Sequence, residues 1–135
     1  MSDQPVTVRL GAEKFRNRIT ARQHSIYGDE PGSLGGADSG PTPYELLLAA
    51  VGSCKAITAR MYAERKGWKL DAVDVELEHD RSEGRGGPEV IRVALRFEGD
   101  LDDEQRRRLL EIAEKCPVQK TITGELSVSA ALRDS

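Results

Sequence analysis

The chain has 135 residues, a length that suits one domain spanning residues 1–135. Its 20 Lys and Arg stand against 23 Asp and Glu, a net charge of -3, and aromatic residues are few; a clustered positive face for phosphate backbones and a base-stacking platform are therefore not expected. The longest apolar run, residues 46–51, is too short to cross a bilayer, and residues 1–10 lack the charged head and apolar core of a signal peptide, so the expectation is a soluble, cytoplasmic protein with no membrane or nucleic-acid partner.

Residues 5–10 alternate apolar and polar side chains and predict a strand. Residues 15–22 alternate again, with Phe15, Ile19 and Ala21 on one face and Arg16, Arg18, Thr20 and Arg22 on the other. A third short strand is expected through residues 25–27. Residues 28–43 hold five Gly and three Pro and read as a loop, long enough to be functional, in which Asp29 and Glu30 are expected to be solvated.

The loop delivers a helix start. Thr42 suits the N-cap, Pro43 the first helical position, and Glu45 completes a capping box. The helix is expected over residues 43–66, stopped by Gly67. Its first half is apolar nearly all round, which predicts burial on every side. Leu47, Ala50, Val51, Cys54, Ile57, Thr58 and Met61 share one face and are expected to form its core stripe.

Residues 70–79 predict a half-buried strand with Val73, Val75 and Leu77 inward, and residues 89–98 a matching strand with Ile91, Val93, Leu95 and Phe97 inward, the two joined as a hairpin. A second helix is expected over residues 102–116, with Asp102 and Gln105 as a capping box and Pro117 ending it. Residues 125–132 predict a last strand. Strands clustered rather than strictly alternating with helices give an α+β fold. One sheet and one further helix cannot cover a long buried central helix, so an intertwined homodimer is expected.

The chain has two cysteines, Cys54 inside the first helix and Cys116 at the end of the second. In a reducing compartment such a pair is more often redox-active than a permanent staple. Each is also compatible with a place in the core. With no CxxC spacing, and with His24 and His79 scattered, the pair makes a poor metal-ligand set.

Taken together, GGADSGPTPYELLLAAVGSC and the later KCPVQKTI resemble the OsmC/Ohr family of thiol-dependent peroxidases, and the likeness runs over most of the chain. That resemblance implies an OsmC-like fold of antiparallel sheets around a long central helix, in an intertwined homodimer. It implies reduction of organic hydroperoxides without haem, flavin, metal or other cofactor, with a small dithiol or lipoyl-type group restoring the thiols. Carried over, Cys54 matches the peroxidatic position and Cys116 the resolving one. Well-studied members carry a glutamate ten residues before the first cysteine; this chain has Tyr44 there, and its acid, Glu45, stands nine residues before Cys54. The family's arginine lies near the turn between the first two strands, where Arg16 and Arg18 are the nearest candidates and Arg22 shares their face. Arg18 and Glu45 are taken as the charged site residues.

Peroxide cleavage needs a thiolate, and a cysteine some eleven residues into a helix receives little help from the helix dipole. A cation must be imported, and arginine suits this best because its planar fork also holds the peroxide oxygens. Lys55 follows Cys54 but projects about 100° away and is not expected to be that charge. The shifted glutamate favours a first alternative, a thiol-disulfide or persulfide-handling protein of the same fold with little peroxidase activity. A second is a non-enzymatic module binding a small ligand in an apolar pocket.

Overall fold

The computed structural model describes residues 4–133. It is an α+β fold with two antiparallel sheets and three α-helices among the described residues. The chain divides between Leu47 and Leu48 into two compact units.

In the first unit, strands β1 (Val6–Leu10), β2 (Asn17–Ala21) and β3 (His24–Gly28) form an antiparallel meander in which Val8, Ile19 and Ile26 lie in one cross-strand row. The β2–β3 turn is two residues long, and Arg22 takes a left-handed φ of 55° there, a conformation usually left to Gly or Asn. The loop that follows is more ordered than its composition suggests. Gly32–Leu34 is a short 3-10 turn, and Asp29 is buried rather than solvated. The Asp29 carboxylate accepts from the N–H groups of Glu30 (2.7 Å) and Ser39 (3.1 Å) and from the Ser39 hydroxyl (2.6 Å), pinning both ends of the loop.

Helix α1 (Pro43–Lys66) opens on the expected capping box. Glu45 N–H donates to Thr42 Oγ1 at 3.2 Å, and Thr42 N–H donates to Glu45 Oε1 at 2.9 Å. It closes on Gly67, at φ 71°, with Trp68 N–H on Ala63 O and Gly67 N–H on Glu64 O, the paired bonds of a Schellman end. By length and composition alone α1 is long and apolar enough to cross a membrane, which the six-residue run at 46–51 did not convey. Core helices of soluble proteins meet the same description, and a buried lysine at mid-helix suits a protein interior better than lipid.

The face that α1 buries is not the expected one. Val51, Gly52, Lys55, Ala59 and Ala63 are buried, whereas Leu47, Ala50, Ile57 and Met61 are exposed and Cys54 and Thr58 are half-buried. A helix apolar on all sides carries no amphipathic signal to select its inner face. Small residues decide instead, because they permit close approach. A Cβ on Gly52 would stand 2.7 Å from Leu77 Cδ1.

In the second unit, strands β4 (Lys69–Asp80) and β5 (Val90–Asp100) pair antiparallel, with Val73 opposite Phe97 and Val75 opposite Leu95. Helix α2 (Asp103–Glu114) starts from the expected Asp102/Gln105 capping box. Ala59, Ala63, Leu70, Phe97, Leu101 and Leu109 form the core between these elements. Two expectations fail beyond it. Pro117 does not merely end a helix; it opens a third, α3 (Pro117–Thr123), for which Cys116 is the N-cap residue. Residues 125–132 form no strand. They carry Leu126, Val128 and Leu132 exposed.

Candidate active site

Cys54 sits midway along α1, and its sulfur meets the bend between α2 and α3. Val118 N–H, in the first turn of α3, donates to Cys54 Sγ at 3.5 Å, and Thr58 Oγ1 stands 4.0 Å from the same sulfur. Pro at the first helical position of α3 fixes the chain direction there, so the next free N–H faces the thiol. Cys116 lies two residues before Val118, is wholly buried, and donates its N–H to Ala113 O at 3.3 Å. The two thiols are free, and Cys116 precedes by two residues the Val118 N–H that meets Cys54.

An open groove of about 620 Å³ flanks this bend, lined by Thr58, Met61, Ile112 and Pro117 with Glu64, Arg65 and Lys115 at its edges. Met61, Ile112 and Pro117 give it an apolar wall, and neither cysteine lines it. A separate cleft of about 410 Å³ between Tyr62, Trp68 and the start of α2 carries mixed charge, and neither cysteine lines it. Among the described residues no three His, Cys, Asp or Glu side chains gather as a metal site.

Arg16, Arg18, Arg22 and Glu45 belong to the first unit, and the two cysteines to the second. Arg18, on β2, is exposed and points its guanidinium at Ser25 Oγ, with Nε at 3.4 Å and Nη2 at 3.3 Å. Arg16 lies 3.9 Å over the Tyr27 ring and pairs with Glu13 at 3.4 Å. Arg22 occupies the β2–β3 turn. Glu45 is engaged in the capping box of α1.

Lys55 corrects the sequence reading. It is buried at 2% exposure, and Nζ donates to Ala113 O at 3.1 Å and to Gln119 Oε1. It therefore reaches the same bend as Cys54. The signal was present but unused: Lys55 is the lone charged residue of α1 between Glu45 and Arg60. Val118 and Gln119 gave no such signal, since nothing local tells which backbone N–H or amide a distant helix will meet.

A Cys-bearing helix beside a two-stranded sheet, met at its sulfur by the first turn of a helix that a Cys-Pro step opens, defines the class of this α+β fold. The model of OsmC-like proteins matches residues 36–131, and the chain belongs to that family. No curated protein sequence matches it. Among solved structures it is similar to an OsmC-like protein from Mycoplasma pneumoniae, with 18% identity and a TM-score of 0.75 over 91% of this chain and 89% of that one. It is also similar to an organic hydroperoxide resistance protein OsmC from Legionella pneumophila, with 20% identity and a TM-score of 0.66 over 93% and 94%. Against the organic hydroperoxide resistance protein OhrB of Bacillus subtilis the identity is 26% and the TM-score 0.56, over 90% and 91%.

Proposed function

We propose that this chain is a thiol-dependent peroxidase that reduces organic hydroperoxides through Cys54 and Cys116, as a single-domain subunit of a cytoplasmic homodimer. The observation that carries the reading is the packing of the Cys116–Val118 bend on Cys54, where Val118 N–H meets the sulfur. Family membership and two similar structures named for organic hydroperoxide resistance support it.

In this mechanism Cys54 thiolate attacks one peroxide oxygen, the O–O bond breaks, and the alkoxide leaves and takes up a proton as the alcohol. Cys54 is left as a sulfenic acid. The Cys116 thiol then attacks that sulfur; the S–O bond breaks, hydroxide leaves with the thiol proton as water, and a disulfide remains. A small dithiol or lipoyl-type group reduces it. Arg18, or its neighbour Arg16, supplies the cation at the peroxide, and Glu45 orders the helix start that leads to Cys54. The apolar wall of the groove favours alkyl chains. The homodimer reading rests on the exposed Leu47, Ile57 and Met61 of α1 and the exposed Val6, Val8 and Leu10 of β1, which a second copy would cover.

The test is the mass of the intact protein after one equivalent of cumene hydroperoxide, beside Cys54→Ser. Rapid loss of two hydrogens, absent from the variant, is expected. No mass change would overturn the reading. A second reading, thiol-disulfide exchange with little peroxidase activity, draws on the engagement of Glu45 as a cap rather than as a partner of an arginine. A disulfide substrate turned over much faster than the hydroperoxide would establish it.

A further inference from the structure

A buried ammonium is costly unless it is fully engaged, and an apolar side chain of similar size fills the same space at less cost. Lys55 is buried all the same, and both of its acceptors, Ala113 O and Gln119 Oε1, are neutral. It is therefore not held there by a buried carboxylate. Its acceptors lie on either side of Cys116, one in the last turn of α2 and the other in α3. Ala113 O is shared, since it also accepts Cys116 N–H. The adjacent residue on α1, Cys54, takes the Val118 N–H from between the same two anchors. One turn of α1 thus grips the bend at three points, two through the lysine and one through the sulfur.

Resting on the peroxidase reading above, we propose that Lys55 and Gln119 form a positioning clasp. It holds the Cys116–Val118 bend at Cys54 and sets how fast oxidised Cys54 is captured by Cys116. A disulfide forms only when the two Cα atoms stand about 4.4–6.8 Å apart with suitable Cβ directions, so a bend freed at Ala113 and Gln119 spends less time within reach. The clasp touches neither peroxide nor the reacting sulfurs. Its effect falls on the second chemical step, in which the S–S bond forms and water leaves, and not on the first, in which the O–O bond breaks.

The two steps are read separately on the intact protein with cumene hydroperoxide, by trapping sulfenic acid with dimedone and by following disulfide formation. Lys55→Met keeps the stem and removes the ammonium. Gln119→Leu removes one acceptor and leaves Lys55 in place. Gln119→Glu keeps an acceptor and serves as the conservative variant. Sulfenic acid is expected to appear in Lys55→Met and Gln119→Leu at close to the parent rate. Disulfide formation is expected to slow by about tenfold or more, since a displacement of roughly 1 Å at a reacting pair costs on the order of a hundredfold. Sulfinic acid then accumulates with excess peroxide, and Gln119→Glu restores the disulfide rate. Unchanged disulfide formation in both variants overturns the clasp. So does an equal slowing of both steps in all three, which marks a residue that only supports the fold. If Lys55→Met fails to fold, Gln119→Leu against Gln119→Glu decides alone. Failure of the parent protein to oxidise at Cys54 overturns the peroxidase reading instead, and is told apart because no variant is then needed to see it.

Discussion

At the scale of single residues, two buried polar side chains organise segments that composition alone marks as irregular. Asp29 gathers Ser39 and Glu30 in the glycine-rich loop, and Lys55 gathers Ala113 and Gln119 at the cysteine bend. The Asp29 carboxyl is held below its ordinary value of 3.8, chiefly by the Ser39 hydroxyl and then by the Glu30 N–H, against an opposing push from burial. A folded-state value depressed in this way contributes stability that is fully present above 3.8 and is lost as pH falls through the lower folded value. The loop is therefore expected to hold at neutral pH and to loosen in acid below that range, with Asp29→Ala loosening it at every pH. Limited proteolysis checks this. Faster cutting within residues 29–41 in the variant at pH 7 is expected, and identical digestion of the two proteins would remove the role assigned to Asp29.

At the scale of elements, local chemistry sets where helices begin and end. Both capping boxes and the Gly67 end lie where the sequence puts them, since each is a set of hydrogen bonds among residues at most five apart. Replacing Asp102 by Ala removes the acceptor for Gln105 N–H and is expected to cost about 1 kcal/mol, within a range of roughly 0.5–2. Chemical denaturation reads this as a lower midpoint with an unchanged slope; an unaltered midpoint would mean that the cap contributes nothing. The misread elements share a different cause. Pro117 reads as a stop, although the rule that places Pro43 at a helix start applies to it equally well, and the two residues between Glu114 and α3 leave room for a turn. Residues 125–132 have the alternation of a strand, but alternation supplies only a face and not a partner edge.

At the scale of the whole molecule, α1 is covered by its own chain along one stripe while Ile57 and Met61 remain 56% and 62% exposed. In the proposed homodimer these side chains, together with the alternating apolar residues of 125–132, are buried by a second copy. Size-exclusion chromatography with light scattering is expected to give twice the chain mass of 14.8 kDa, and hydrogen exchange to protect amides in residues 125–132. A monomer at micromolar concentration with freely exchanging amides there would refute the assembly.

The sequence by itself determined the α+β class, the bounds of α1, the β4–β5 hairpin, the caps and the pair of cysteines to watch. All of these rest on side-chain period or on bonds between near neighbours, which any stretch of chain carries with it. Only the tertiary structure decided which side of α1 faces inward, that Lys55 is buried, and which backbone group meets Cys54. Those contacts join residues 58 and 64 positions apart, and an all-apolar helix with one lysine fits many inner faces equally well until packing against Leu77, Ala113 and Gln119 selects one.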